Sequence, residues 1–178
     1  MDAGIISRRY AKAIYHFAAE RNEENRLREE LKFLSEQFLS LPTLHKTLND
    51  PTIPSAMKIE LLTVAAGKEI SVTCQKAIRL IVENKRTNYI QLVAWMYDIV
   101  YRKAKDMIVM KLTTIEPASS EVKSKLVDLV GKNSNQVEFS TQTDADIIGG
   151  FILEIDDLRL DASVKNLLNQ LRLELIHT

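Results

Sequence analysis

The feature that most limits what this chain can fold into is the spacing of its apolar side chains over residues 27–41. Leu27, Leu31, Leu34, Phe38 and Leu41 recur at steps of four, three, four and three, the period of one face of an α-helix. Arg28, Glu29, Glu30, Lys32 and Glu36 fill the opposite face, so the segment reads as an amphipathic helix that ends near Pro42. With only 5 Gly and 4 Pro in 178 residues, long stretches must run without turns. An aromatic share of 6% suits helices packed through Leu, Ile, Val and Ala.

The same pattern extends on both sides. Ile6, Tyr10, Ile14 and Phe17 line one face of a preceding helix, where Ala11, Ala13, Ala18 and Ala19 permit a close neighbour; Asn22 breaks it. Leu44 and Leu48 suit one short helix before the stop at Asn49-Asp50-Pro51. Pro54 is expected at the first position of a fourth helix, with Met57, Leu61, Leu62 and Ala65 facing inward and Gly67 at its end. Ser71 is the expected N-cap of a fifth. Its apolar residues (Val72, Cys74, Ala77, Ile78, Leu80, Ile81 and Val82) cover more than one stripe. Such a helix needs two neighbours, or one neighbour and a visiting partner. After Asn84 to Asn88, a sixth helix carries Tyr89, Leu92, Val93, Met96, Ile99 and Val100, with Trp95 beside them.

The pattern changes after Lys105-Asp106. Met107 to Thr114 is β-branched and partly alternating, Val137 to Thr141 alternates, and Phe151 to Ile155 turns through Asp156-Asp157 into Leu158-Arg159-Leu160. These read as strands. Between them lie a helix capped by Ser119 or Ser120, with Val122, Leu126, Leu129 and Val130 on one side, and a turn at residues 131–135. A last helix follows Asp161-Ala162-Ser163, with a stripe of Val164, Leu168, Leu171 and Leu175 widened by Leu167. The expected fold is mainly α: a six-helix bundle over residues 1–105, then a small α+β domain over 106–178. The second is short enough that part of its apolar helix needs a partner for burial.

Charge divides the same way. Residues 1–105 hold 17 Lys and Arg against 12 Asp and Glu, and residues 106–178 hold 7 against 12, although the whole chain is neutral. Opposed halves suggest different partners, and neither has the dense basic stripe of a nucleic-acid platform. A single cysteine, Cys74, fits a reducing compartment and a buried apolar position. No apolar run approaches the roughly 20 residues of a membrane helix. Ser7-Arg8-Arg9 faintly resembles a twin-arginine export signal, but the charged residues that follow (Glu20, Arg21, Glu23, Glu24) are incompatible with one, so the chain is expected to stay where it is made.

Nothing points to catalysis or a cofactor. His16, His45 and His177 lack metal-ligand spacing. Gly149-Gly150 lacks the Lys-Ser/Thr of a phosphate loop and reads as a turn or bulge beside a strand. Asp144, Asp146, Asp156, Asp157 and Asp161 lack the glycine and terminal Glu of a calcium loop, and Asp is favoured in turns in any case.

Taken in order, several segments resemble the delta subunit of F-type ATP synthases, the family of the mitochondrial oligomycin-sensitivity-conferring protein. They are Arg9-Tyr10-Ala11-Lys12-Ala13-Ile14 with Phe17-Ala18; Leu48 to Pro54 with Lys58 and Leu61-Leu62; Val82-Glu83-Asn84-Lys85-Arg86; and Asp144 to Phe151 followed by Asp161-Ala162-Ser163-Val164. Ala162 departs from the glycine that many members carry there. No transit peptide is visible, which favours the bacterial type, at the cytoplasmic face of the cell inner membrane.

The resemblance implies a non-catalytic stator, associated with the membrane only through its complex. The amino-terminal bundle would grip amino-terminal helices of the alpha subunits in a groove between the first and fifth helices, and the second domain would meet the carboxy-terminal region of the b subunit. Candidate groove residues are Tyr10, Ala13, Ile14 and Phe17 with Ile78, Ile81 and Val82. The alternative is a helical RNA-binding transcription antitermination factor, which would need a basic face.

Overall fold

The structure, a computed structural model, describes residues 3–130 and 136–176; the turn expected at 131–135, and His177, lie outside those residues. The chain divides into two compact units, one ending at Lys103 and the other beginning at Ala104.

In the first unit the helical periodicities become α1 (Ala3–Ala19), α2 (Glu24–Ser40), α3 (Pro42–Asn49), α4 (Ser55–Ala66), α5 (Val72–Glu83) and α6 (Ile90–Ala104), the last entered through a 3-10 turn at Thr87–Tyr89. Asn22 ends the first helical pattern with a left-handed backbone, φ 56°, a conformation its short polar side chain tolerates. Pro42 opens α3, where its missing N–H costs nothing. Pro54 is not the first helical residue but the cap before it. Ser71 caps α5 as expected, its hydroxyl accepting from the Cys74 amide at 3.0 Å.

α2 is the central element, packed against α1, α3, α4 and α5. Its stripe of Leu27, Leu31, Leu34 and Phe38 is buried, each such side chain contributing about 1.5–3 kcal/mol of apolar transfer. From α1 the core takes Ile6, Ala11, Ile14 and Ala18, and from α6 Ile90, Val93, Ala94, Tyr97 and Tyr101. Arg28 joins α2 to Asp98 of α6 at 2.6 Å, and the buried Tyr97 hydroxyl donates to the Glu24 carbonyl at 3.1 Å. On α4 the inward residues are Leu62 and Ala66, whereas Met57 is exposed. That helix is apolar nearly all round, so periodicity could not orient it.

The second unit runs β1 (Met107–Thr114), α7 (Ser120–Val130), β2 (Gln136–Thr143), β3 (Gly150–Ile155), β4 (Leu158–Ser163) and α8 (Val164–Ile176). Its sheet has the order β2-β1-β3-β4. β1 and β2 are parallel, as a helical crossover through α7 allows, and the other pairs are antiparallel. Asp156 turns the β3–β4 hairpin at φ 48° while its carboxylate accepts from the Val109 amide at 3.0 Å. Gly149 and Gly150 are packing glycines. A Cβ on Gly150 would lie 2.2 Å from the Ala162 carbonyl oxygen, and one on Gly149 would lie 2.8 Å from Val164 Cγ2. The close approach joins β3 to the end of β4 and the start of α8. Asp161 braces the same corner, accepting from the hydroxyl and amide of Ser163, which hold its carboxyl below the usual range. The fold is thus mostly helical, with a small four-stranded sheet in the second unit among the described residues.

Candidate functional site

In the first unit, α1 and α5 pack side by side. The small Ala11 and Ala77 are buried, and Ile14 is only 3% exposed. Above them two depressions run along the seam. One, of about 330 Å³, is lined by Ala13, Ile14, Phe17, Lys76, Ala77 and Leu80. The other, of about 490 Å³, is bounded by Ile6, Arg9, Tyr10 and Ala13 on α1 and by Leu80, Asn84 and Arg86 across the seam. Ala13 and Leu80 border both, so the two make one furrow.

α5 is set in place from its first turn. The amide and hydroxyl of Ser71 donate to Glu30 on α2, Arg26 bonds the same carboxylate at 3.1 Å, and Thr73 donates to Glu23. A carboxylate here also faces the positive end of the α5 dipole. At the furrow, the Phe17 ring lies under cations, with the Arg21 guanidinium 4.4 Å and the Lys76 ammonium 5.5 Å from its centre. Such pairs fix an aromatic ring in a partly exposed position.

Of the residues expected here from sequence, Tyr10, Ala13, Ile14 and Phe17 line the furrow. Ile78, Ile81 and Val82 do not. They are 0%, 1% and 2% exposed, because the stripe through Cys74, Ile78 and Ile81 faces the core of the unit. The furrow wall from α5 is Lys76, Ala77 and Leu80 instead, with Leu80 43% exposed. A sequence signal for this exists: Leu80, like Val72, is an apolar residue of α5 that falls outside the 74–78–81 stripe, so it has to point elsewhere.

The furrow is apolar at its centre and holds no cluster of acid–base groups. Cys74 is buried, and burial pushes its thiol far above the ordinary value, the opposite of a nucleophile. Among the described residues, no group of His, Cys, Asp and Glu could hold a metal ion, and no helix is long and apolar enough to cross a membrane.

The second unit offers an apolar surface of its own. Leu167, Leu168, Leu171, Leu173 and Leu175 of α8 are all exposed, as are Leu158 and Leu160 of β4. Ile148, in the turn before β3, is 59% exposed and has a left-handed backbone, φ 66°.

The sequence model of the ATP synthase delta (OSCP) subunit matches residues 6–175. ATP synthase subunit delta of Azobacteroides pseudotrichonymphae is 43% identical over 177 residues, covering 98% of this chain and 100% of the relative. The protein of the same name from Phocaeicola vulgatus is 36% identical, covering 99% of this chain and 96% of its own. In fold, the chain is similar to one in the cryo-EM structure of the Toxoplasma gondii mitochondrial ATP synthase hexamer, with a TM-score of 0.67 and 21% identity over 96% of this chain and 97% of that one. With the family's model spanning nearly its whole length and relatives alike from end to end, this chain belongs to the ATP synthase delta (OSCP) subunit family.

Proposed function

We propose that the chain is the non-catalytic stator subunit of an F-type ATP synthase, holding the catalytic head with its first unit and the peripheral stalk with its second. The observation that carries the reading is the open apolar furrow between α1 and α5, walled by Ala13, Phe17 and Leu80 over a floor of Ile14 and Ala77. An amphipathic helix laid into such a groove buries its apolar face on both walls. The amino-terminal helices of the alpha subunits are the proposed occupants.

The exposed leucines of α8 are the matching feature of the second unit. They are offered to the carboxy-terminal region of the b subunit. Linked to both, the chain stops the head from turning with the central rotor, so that proton-driven rotation is coupled to ATP synthesis. Holding against torque needs a tight grip, and a nanomolar one corresponds to about −12 kcal/mol. The subunit sits at the cytoplasmic face of the inner membrane through its complex. The RNA-binding alternative draws no support from the comparisons.

Affinity purification of the tagged protein from detergent-solubilised membranes tests the reading. Alpha and b subunits should co-purify with the full chain, and removal of residues 164–176 should lose b while keeping alpha. Recovery of neither subunit would contradict the assignment.

A further inference from the structure

We infer that the α1–α5 furrow selects an amphipathic helix of about three turns whose apolar stripe is flanked by acidic side chains. The inference rests on the reading of the furrow as a helix-binding site and adds the chemistry of its occupant. Two observations carry it. The first is the charge of the border. The charged residues lining the furrow among the described residues are Arg9, Lys76 and Arg86, and no carboxylate lines either depression. No ion pair among the described residues engages these three side chains. Arg21 adds a fourth cation against Phe17 at one end.

The second is length. The residues of α1 that line the furrow run from Ile6 to Phe17, eleven helical rises or about 17 Å. That matches about three turns of a visiting helix. Its apolar residues at i, i+3, i+4 and i+7 would cover Ala13, Phe17 and Leu80, and the positions flanking that stripe would pass over the border. Arg9 and Arg86 border one depression and Lys76 the other, so carboxylates are wanted at both ends of the occupant rather than at one. A lysine in those positions would meet like charge as the border is desolvated, and this discriminates against the wrong partner. Cations stacked on rings, as Lys76 and Arg21 are on Phe17, are already partly ordered and lose less freedom on pairing.

The test uses the full chain and three fluorescent probes. Two are designed helical peptides sharing one Leu/Ile stripe, one flanked by Glu and the other by Lys. The third is the amino-terminal segment of the alpha subunit from the same complex. Anisotropy titration should show the Glu-flanked peptide binding about tenfold tighter than its Lys counterpart at low salt, with most of that preference gone at about 0.5 M salt, where the Debye length is a few ångströms. In the double variant Arg9→Glu/Lys76→Glu, at two exposed positions, two cations and two carboxylates border the furrow and the preference should be lost. Should that variant fail to fold, Lys76→Gln alone should weaken the Glu-flanked peptide about threefold with an unchanged circular dichroism spectrum.

Equal affinity of both designed peptides, unmoved by salt or substitution, would overturn the inference while leaving the stator reading intact. A bound Glu-flanked peptide beside an unbound alpha segment would sink the stator reading and leave the charge selectivity standing.

Discussion

The Ser71 amide and hydroxyl both donate to the carboxylate of Glu30, at 2.7 and 2.6 Å, tying the first turn of α5 to the middle of α2. Glu30 is largely buried, its side chain 11% exposed. The start of the furrow wall carried by α5 is therefore tied to α2 by a hydrogen-bonded, mostly buried carboxylate.

Replacement of Glu30 by Ala leaves the Ser71 amide without its acceptor and should destabilise the protein by about 2–3 kcal/mol. Chemical denaturation followed by circular dichroism measures this. Glu30→Gln, which can still accept one bond, should recover part of the loss. An unchanged denaturation midpoint for Glu30→Ala would show that α5 is held by packing alone.

Two neighbouring residues in the second unit should respond in opposite directions. Ile148 is β-branched yet has φ 66°, a conformation that costs an L-residue about 1–2 kcal/mol. Ile148→Gly relieves that strain, partly offset by the greater freedom of glycine in the unfolded chain, and should stabilise by up to about 1 kcal/mol. Gly150→Ala places a methyl group 2.2 Å from the Ala162 carbonyl, where backbone cannot yield without opening the β3–β4 pairing. It should destabilise by about 3 kcal/mol or more. Thermal melts of the two variants check both signs.

The Cys74 thiol is buried on α5, and loss of solvation, with the Glu30 charge nearby, pushes it far above the ordinary thiol range. At neutral pH the native protein should therefore resist alkylation by iodoacetamide, with the thiol reacting only when denaturant opens the unit. Rapid labelling of the native protein would mean that α5 opens readily.

How much of this was legible in the sequence depended on how polarised each segment is. α2 could be placed from Leu27, Leu31, Leu34 and Phe38 because its charged face leaves only one stripe to bury. The Ser71 cap and the span of β1 were likewise readable, since a cap and a β-branched run are local chemistry. The orientation of α4 was not, because Met57, Leu61, Leu62 and Val64 offer apolar residues in nearly every direction. α5 posed the same difficulty where it mattered most. Ile78, Ile81 and Val82 are more hydrophobic than Ala77 and Lys76, so they looked like the binding face, but in the structure they fill the core, and Lys76, Ala77 and Leu80 are left at the seam. The border charges Lys76 and Arg86 escaped notice because a cation beside an apolar groove looks, in sequence, like any solvated side chain.

The central claim is that the seam between α1 and α5 receives a helix from the catalytic head, and Ala13, exposed and bordering both depressions, is the position where it can be probed most directly. Calorimetric titration of the alpha-subunit amino-terminal segment into wild type and Ala13→Asp is the decisive measurement. An exposed Asp in a helix costs only about 0.5 kcal/mol in propensity, so the variant should stay folded by circular dichroism while its affinity for the segment falls at least about tenfold, as expected for a carboxylate desolvated beneath the apolar stripe of a visiting helix even with Arg9 one turn before it on α1. Undiminished binding by a folded Ala13→Asp protein would place the head's attachment elsewhere and contradict the account.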